Sequence, residues 1–214
     1  MNHGSKTLRI LSLLGQRPDS TGSGVFVRSI WRYARKCGDL QRLIIAGYPE
    51  DDERSEFQTD CDVITFTRPG GVGGDLSFPI LGMSDIMPYC SQCYGGSTDE
   101  QVRAMINAFR EHAQRQVANF QPEIIQINHL WVLLALCPEF RSIPCFVTVH
   151  GTGLKLLTTA PRFRHYVVSG IDAVRHFFCV SRDIADDAMA EYQLPASKVS
   201  VVGNGYDPMY LVQE

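Results

Sequence analysis

The sequence predicts an α/β fold, a doubly wound parallel sheet of the Rossmann-like kind. Short apolar segments without polar–apolar alternation recur along the chain, as expected of strands that are buried on both faces. Segments with helical character separate them, which favours a parallel sheet that is covered by helices on both sides. The length of 214 residues, of which 44% are hydrophobic, suits one large domain of this class.

Strands are predicted wherever a short apolar run stands between turn-forming residues. In chain order they are Leu8–Leu14, Leu43–Ala46, Val63–Thr67, Ile124–Ile127, Cys145–Val149, Phe177–Val180 and Val199–Val202. As a set they lack the two-residue period of a strand with one exposed face, so we expect them to lie inside the sheet.

Helices are predicted between these strands. In chain order they are Gly24–Lys36, Thr98–Asn119, Leu130–Leu136, Pro161–Val174 and Ser181–Tyr192. Thr98 is the expected N-cap of the long second helix, because its hydroxyl can accept a bond from a first-turn N–H and acidic Asp99 and Glu100 follow it. Ser181 is the expected N-cap of the last helix.

The stretch Arg68–Ser97 breaks this alternation. It is rich in Gly and Pro and has no clear period. Phe78, Met83, Met87 and Tyr89 lie within it, and a disordered linker rarely carries so many large apolar side chains. We therefore expect an ordered loop that lies over the binding face.

Charge and composition narrow the class of protein. The net charge of -3 provides no basic field, which argues against nucleic acid as a partner. The longest apolar run, Leu130–Cys137, is far shorter than the ~20 residues of a membrane helix, and Met1–Thr7 is too short and polar for a signal peptide. The cysteines number seven, an odd count. We expect a reduced, cytoplasmic protein in which Cys37, Cys137, Cys145 and Cys179 behave as small core residues.

Cys90 and Cys93 form a C-x-x-C pair, which is found in zinc sites and in redox motifs. A zinc site normally needs a second ligand pair, and the sequence contains no second C-x-x-C. The pair also lies in the long loop rather than at the start of a helix. We predict no metal and no cofactor. The acidic clusters Asp51–Glu53 and Asp186–Asp187 are expected to be solvated faces.

Thr21-Gly22-Ser23-Gly24 connects the first predicted strand to the first helix. Such a loop lies at the carboxyl end of a strand, where ligands of doubly wound sheets bind. Glycines let the backbone approach a phosphate, and the helix start offers N–H groups and partial positive charge. The spacing is neither a Walker A loop nor a complete Gly-x-Gly-x-x-Gly, so a flexible turn is the alternative.

Two histidines directly follow predicted strands. His150 ends Val147–Val149 and precedes Gly151-Thr152-Gly153, whose glycines free the backbone; the alternative is a surface histidine in a turn. An oxyanion loop of an α/β-hydrolase would need a Gly-x-Ser-x-Gly nucleophile, which the sequence lacks. His129, with Asn128 and Trp131, follows Ile127. Imidazole can bind hydroxyls and indole can cover a sugar face, although Trp131 alternatively packs in the helix that follows.

The chain closes with the strand Val199–Val202 and then Gly203-Asn204-Gly205-Tyr206-Asp207-Pro208. The Asn-Gly pair tolerates positive φ. This segment resembles the "NGVD" segment that ends the first half of glycosyltransferase family 4 enzymes. The other motifs occur in the order found in that family. The resemblance extends over Leu8–Gly24, Glu123–Trp131, Val147–Gly153, Phe178–Ser181 and Lys198–Asp207.

The resemblance implies one half of a two-domain glycosyltransferase-B fold. Residues 1–203 would be the N-terminal acceptor domain and residues 204–214 the start of the interdomain linker, with the C-terminal donor domain absent. It implies retaining transfer of a sugar from a nucleotide-diphospho-sugar without metal, and a chain that is inactive alone. The acceptor would be a carbohydrate or a lipid-linked molecule, which is compatible with peripheral membrane association.

The resemblance also implies roles for individual residues. His150 would border the donor sugar as the catalytic residue. The donor phosphate would contact Gly22, Ser23 and Gly24, with Gly24 preferred because it opens the predicted helix. The acceptor would contact Asn128, His129, Trp131, Gly151 and Thr152.

Two other functions remain open at this point. One is a stand-alone module that binds a glycan or a sugar phosphate and pairs with a separate donor-domain chain. The other is half of a sugar-nucleotide epimerase, which shares the two-domain layout.

Overall fold

A computed structural model describes residues 6–19, 21–51 and 57–205 of the chain. Tyr206, Asp207 and Pro208 of the predicted hinge, and Asp52 and Glu53 of the first acidic cluster, lie outside the described residues.

The main sheet has seven parallel strands and confirms the predicted fold class. Its strands are β1 (Arg9–Leu14), β2 (Leu40–Gly47), β3 (Cys61–Thr65), β6 (Ile124–Asn128), β7 (Cys145–Val149), β8 (Val174–Cys179) and β9 (Val199–Val201). Two short strands, β4 (Leu81–Gly82) and β5 (Gln92–Cys93), pair separately in the long loop. The order across the main sheet is β3-β2-β1-β6-β7-β8-β9.

Five α-helices connect these strands in the described residues: α1 (Gly22–Cys37), α2 (Asp99–Phe120), α3 (Thr152–Thr159), α4 (Arg164–Ile171) and α5 (Arg182–Tyr192). Short 3₁₀ helices cover Gln58–Asp60, Tyr94–Gly96, Val132–Phe140, Pro161–Phe163 and Ala196–Lys198. The predicted N-caps are confirmed. The Thr98 hydroxyl accepts a bond from the N–H of Gln101 in a capping box, and the Ser181 hydroxyl accepts one from Ile184.

The strands are buried on both faces, which explains why their sequences do not alternate. In β1, Leu13 packs into one core cluster and the next residue, Leu14, packs into the other. Val27 and Trp31 of α1 cover the face of Leu14. Phe109 and other residues of α2 cover the opposite face. Neighbouring residues of one strand therefore both need apolar side chains.

Several predicted elements differ from the structure. The short helix predicted over Leu130–Leu136 is a 3₁₀ helix that covers Val132–Phe140. The helix predicted over Pro161–Val174 ends at Ile171, because Val174 already pairs with Cys145 at the start of β8. The helix α3 was not predicted. Gly151 and Gly153, which the sequence predicts to free the backbone after His150, lie at its start.

The long loop is ordered, as predicted. Ile80, Leu81 and Tyr94 are buried in the main core, and Tyr94 lies edge-on to Phe163. The Tyr48 hydroxyl donates to the carbonyl of Cys90 at 2.5 Å and accepts from the N–H of Ile80, which ties the loop to the end of β2.

All seven cysteines lie in the described residues and are free thiols. Cys137, Cys145 and Cys179 are buried as expected, but the prediction for Cys37 is wrong. Cys37 is exposed at the C-terminal end of α1, of which it is the last residue. Within the described part of the chain, no helix is long and apolar enough to cross a membrane.

Candidate functional site

The strand order reverses between β1 and β6. These two strands lie side by side, although β2 and β3, which form one edge of the main sheet, come between them in the chain. In doubly wound sheets, ligands bind in the crevice that opens at the carboxyl ends of the two strands at such a switch point. Gln16 follows β1 by two residues, and His129 follows β6 directly. These two side chains therefore lie where topology alone places a ligand.

A cavity of about 1230 Å³ opens at this point. The loop into α1 contributes Thr21, Gly22 and Ser23, and the strand ends contribute His129 and His150. Asn204 and Gly205, at the end of the described chain, line the same cavity. The predicted phosphate loop, both predicted histidines and the start of the predicted linker therefore share one site.

The N-cap and the first turn of α1 form part of the cavity wall. Thr21 is the N-cap, and its hydroxyl accepts a bond from the N–H of Gly24 at 3.0 Å. The preference for Gly24 as the contacting amide is therefore corrected. A Cβ on Gly24 would lie 2.4 Å from the carbonyl oxygen of Pro18, so this glycine permits close backbone packing instead. Gly22 and Ser23 line the cavity, and their N–H groups have no acceptor within the helix.

Gln16 connects the phosphate loop to the first histidine. Its side-chain oxygen accepts a bond from the Ser23 hydroxyl at 2.8 Å and contacts His129 Nε2 at 3.2 Å. An amide oxygen can only accept, so His129 carries its proton on Nε2 in this arrangement. His129 Nδ1 then accepts from the Thr152 hydroxyl at 3.0 Å. The chain of bonds fixes a neutral imidazole.

His129 is held by these bonds in an unusual backbone conformation. Its φ is 79°, which is rare outside glycine and costs free energy. Its N–H donates to the carbonyl of Thr148 at 2.9 Å. Burial, and in second place the neighbouring His150, hold the pKa of His129 well below its usual value. Both ring nitrogens of His129 already have hydrogen-bond partners within the protein. His129 therefore positions its neighbours and has no ring nitrogen left to bind an acceptor substrate.

His150, unlike His129, has a ring nitrogen without a hydrogen-bond partner among the described residues. Its Nε2 is buried and has no hydrogen-bond partner among the described residues. The ring lies 5.1 Å from the ring of Phe26, edge to face, and 5.0 Å from the ring of His129. Burial lowers the pKa of His150 to about 4, so the side chain is neutral at pH 7. Buried polar atoms are normally paired, and an unpaired one at a cavity wall indicates a ligand contact.

Two predicted acceptor contacts are corrected by the structure. Trp131 is 2% exposed and lies edge-on to Tyr94 at 5.7 Å, so it packs in the core and does not line the cavity. Asn128 is also buried, and its side-chain amide donates to the carbonyl of Leu13 at 3.2 Å. That bond ties β6 to β1, and Asn128 does not line the cavity.

The remaining predicted contacts lie around α3. Thr152 lines the main cavity, and Gly151 lines a smaller neighbouring cavity of about 630 Å³ together with Lys155 and Glu191. Gly151 has a φ of 89°, which allows the sharp turn from β7 into the helix. Gly153 serves packing rather than flexibility, since a Cβ there would lie 2.3 Å from the carbonyl oxygen of Leu130.

Sequence reasoning missed Gln16 and Phe26. Gln16 stands two residues after a predicted strand, which is the same positional signal that identified the histidines. Phe26 carries no such signal, because an apolar residue in a helix is normally assigned to the core.

A family model for glycosyltransferase family 4 matches residues 94–210, which is more than half of the chain. The chain belongs to glycosyltransferase family 4. A search of the curated proteins finds no match.

Solved structures share the fold at low sequence identity. Sucrose-phosphate synthase from Thermosynechococcus elongatus aligns with a TM-score of 0.61 at 13% identity, over 92% of this chain and 48% of that one. UDP-GlcNAc 2-epimerase from Neisseria meningitidis, bound to UDP-GlcNAc, aligns with a TM-score of 0.54 at 14% identity, over 92% and 46%. A glycosyltransferase from Rickettsia africae ESF-5 aligns with a TM-score of 0.54 at 10% identity, over 97% and 45%.

The family 4 chain thus spans about half the length of the solved structures that it matches. It has the doubly wound fold of one half of a glycosyltransferase-B enzyme, as predicted. No group of three or more His, Cys, Asp or Glu residues that could hold a metal ion occurs in residues 6–19, 21–51 and 57–205.

The lowered pKa of His150 in this family 4 domain predicts a loss of stability in acid. The unfolded chain takes up a proton at His150 near pH 6.5, whereas the folded domain does so only near pH 4. Stability therefore falls as the pH falls through this window. His150→Gln removes the titration, so between pH 7.5 and pH 5 the wild type should lose about 2 kcal/mol more free energy of unfolding than the variant. Urea unfolding at both pH values measures the difference. Equal losses would contradict a buried neutral His150.

Proposed function

We propose that this chain is the acceptor-binding half of a retaining glycosyltransferase, which moves a sugar from a nucleotide-diphospho-sugar to an acceptor hydroxyl. The observation that carries the proposal is the convergence of the first turn of α1, His150 and Asn204–Gly205 on one cavity at the switch point. The family assignment supplies the reaction class, and the cavity supplies groups that suit a phosphate and a sugar.

The donor phosphate is assigned to the N–H groups of Gly22 and Ser23. Aligned peptide dipoles give a helix start partial positive charge, and these amides point out of the first turn. As the sugar leaves, negative charge develops on the phosphate, and fixed donors that stabilise it make a large contribution to catalysis. Cationic side chains from a second half would complete the phosphate site.

The reaction joins the acceptor oxygen to the anomeric carbon on the face from which the phosphate departs. The bond between that carbon and the phosphate oxygen breaks, and the acceptor proton passes to the leaving phosphate. His150 is neutral at pH 7 and is not needed as a proton acceptor in this scheme. Its unpaired Nε2 instead binds a hydroxyl of the donor sugar and orients the ring for transfer.

We also propose the domain arrangement of the protein, its compartment and the kind of acceptor. Residues 1–203 form the acceptor domain and residues 204–214 lead into a linker toward a donor-binding half. No metal or cofactor takes part. We place the protein in the cytoplasm, where thiols stay reduced, with a carbohydrate or lipid-linked acceptor.

An epimerase half is the second candidate, because UDP-GlcNAc 2-epimerases share the fold. That likeness concerns the fold alone. Product analysis separates the two reactions, since an epimerase releases an altered sugar nucleotide without an acceptor. A stand-alone glycan-binding module would instead bind sugar phosphates tightly without any second half.

The proposal predicts weak donor binding by the isolated chain. Half of the donor contacts, including those to the base, would lie on the other half. Calorimetry with UDP-, GDP- and ADP-sugars should therefore show no dissociation constant in the micromolar range, which corresponds to about 8 kcal/mol. Micromolar binding of any of them would show that this chain already contains a complete donor site.

A further inference from the structure

Helix α1 carries an apolar stripe that the core does not use. Its sheet side is formed by Val27, Trp31 and Ala34, which are buried. Phe26, Ile30 and Tyr33 lie on another side of the helix and line the cavity. A surface helix normally presents polar residues away from the core. Tyr33 is nevertheless 68% exposed. We therefore expect this apolar stripe to contact a ligand.

The long loop supplies the opposite wall of the same groove. Met83, Ile86, Met87 and Pro88 line it, and Ile86 is 88% exposed. Methionine side chains adapt to ligands of irregular shape. The groove between α1 and this loop is therefore apolar on both sides, in contrast to the polar floor around Gln16 and His129.

Two cationic side chains lie at the far end of the groove. Arg32 and Lys36 line it, and none of the described residues that line the cavity is an Asp or Glu. This is an unusual balance in a chain with 23 acidic and 20 basic residues. Lys36 lies fourteen positions after Gly22 in α1, which at 1.5 Å per residue is about 21 Å along the helix. It is therefore too far from the first turn to serve the donor phosphate.

We propose that this groove selects an amphiphilic, anionic acceptor. The hydroxyl of the acceptor lies near His150, its apolar portion lies between the α1 stripe and residues 83–88, and its phosphate or carboxylate group lies at Lys36. This inference rests on the proposed function, because it names the substrate class of the acceptor side. Charge and apolar contact act together, so neither part alone should bind well.

Octyl phosphate, below its micelle-forming concentration, is the probe. Calorimetry with the 214-residue chain should show saturable binding that is about tenfold tighter than that of octyl glucoside or of inorganic phosphate. Lys36→Glu should weaken the binding about five- to tenfold, and Ile86→Ser about threefold. Both residues are exposed, so folding should be preserved.

Matched controls lie elsewhere on the surface. Val72→Ser removes an apolar side chain that is 91% exposed, and Arg141→Glu reverses an exposed charge; neither residue lines the cavity. Both variants should bind octyl phosphate like the wild type. Equal affinity for octyl glucoside or inorganic phosphate would overturn the proposal, as would a loss of binding in the controls.

A membrane surface is the competing explanation, and vesicles distinguish it. Binding to vesicles that contain phosphatidylglycerol, without saturable binding of octyl phosphate, would overturn the groove proposal. The calorimetry requires no donor and no second half. If octyl phosphate fails to bind while a protein that joins this chain to a donor-binding half transfers sugar to a neutral acceptor, only this inference is rejected. If octyl phosphate binds but the joined protein transfers no sugar, the proposed function is rejected instead.

Discussion

His150→Ala, in a protein that joins this chain to a donor-binding half, should lower kcat/KM for sugar transfer by roughly ten- to a thousandfold. The lost group is a buried Nε2 that has no partner among the described residues and faces the cavity. Removing it deprives the bound sugar of a hydrogen bond without leaving a protein group unpaired. Initial-rate kinetics with saturating acceptor measures the effect.

The melting temperature of the same variant distinguishes a ligand-binding role of His150 from a structural one. The ring contacts Phe26 and His129 at the cavity wall rather than in the main core, so the melting temperature should change little. His165→Ala is the matched control, since His165 is an exposed histidine on α4 and does not line the cavity. It should keep both turnover and stability. Normal turnover of His150→Ala together with a large loss of stability would make His150 a structural residue.

Gly170→Ala should have the largest effect on stability. Helix α4 packs directly on the 3₁₀ segment Val132–Phe140, and a Cβ at Gly170 would lie 1.8 Å from the carbonyl oxygen of Leu134. That neighbour is backbone and cannot rotate away. The helix must shift, so the free energy of unfolding should fall by about 3 kcal/mol or more. The shift would also disturb the turn at His129, which leads into this segment.

Gly22→Ala provides the control for the same chemical change. A Cβ on Gly22 meets no heavy atom within 4 Å. Urea unfolding should therefore show a change below about 1 kcal/mol, with stabilisation as the expected direction. Unfolding of Gly170→Ala at the same urea concentration as the wild type would contradict the close approach of α4 to the 3₁₀ segment.

The fold was predictable because its signals are local. Adjacent residues such as Leu13 and Leu14 pack on opposite faces of the sheet, and a run without alternation is the direct consequence. Thr98 and Ser181 cap helices through bonds to residues three positions away, which the sequence shows. Helix α3 was missed because its glycines serve different purposes: Gly151 makes a turn and Gly153 makes a close contact that depends on the distant Leu130.

The site was predictable only in its position. Strand ends identified His129 and His150 and the loop before α1, because topology brings the carboxyl ends of parallel strands together. The orientation of each side chain depends on partners that are far away in sequence. The two ring nitrogens of His129 are hydrogen-bonded to Gln16 and Thr152, and Trp131 packs against Tyr94. No local pattern encodes these contacts.

The central claim is that the switch-point cavity holds the donor phosphate against α1. A titration of the labelled 214-residue chain with millimolar ADP, GDP and UDP, followed by NMR, tests it directly. At least one of these ligands should shift the amide signals of Gly22 and Ser23 and the ring signals of His150, while Lys155 and Glu191 in the smaller cavity remain unchanged. Shifts confined to Lys155 and Glu191, or no shift in the first turn of α1 with any of the three, would contradict the claim.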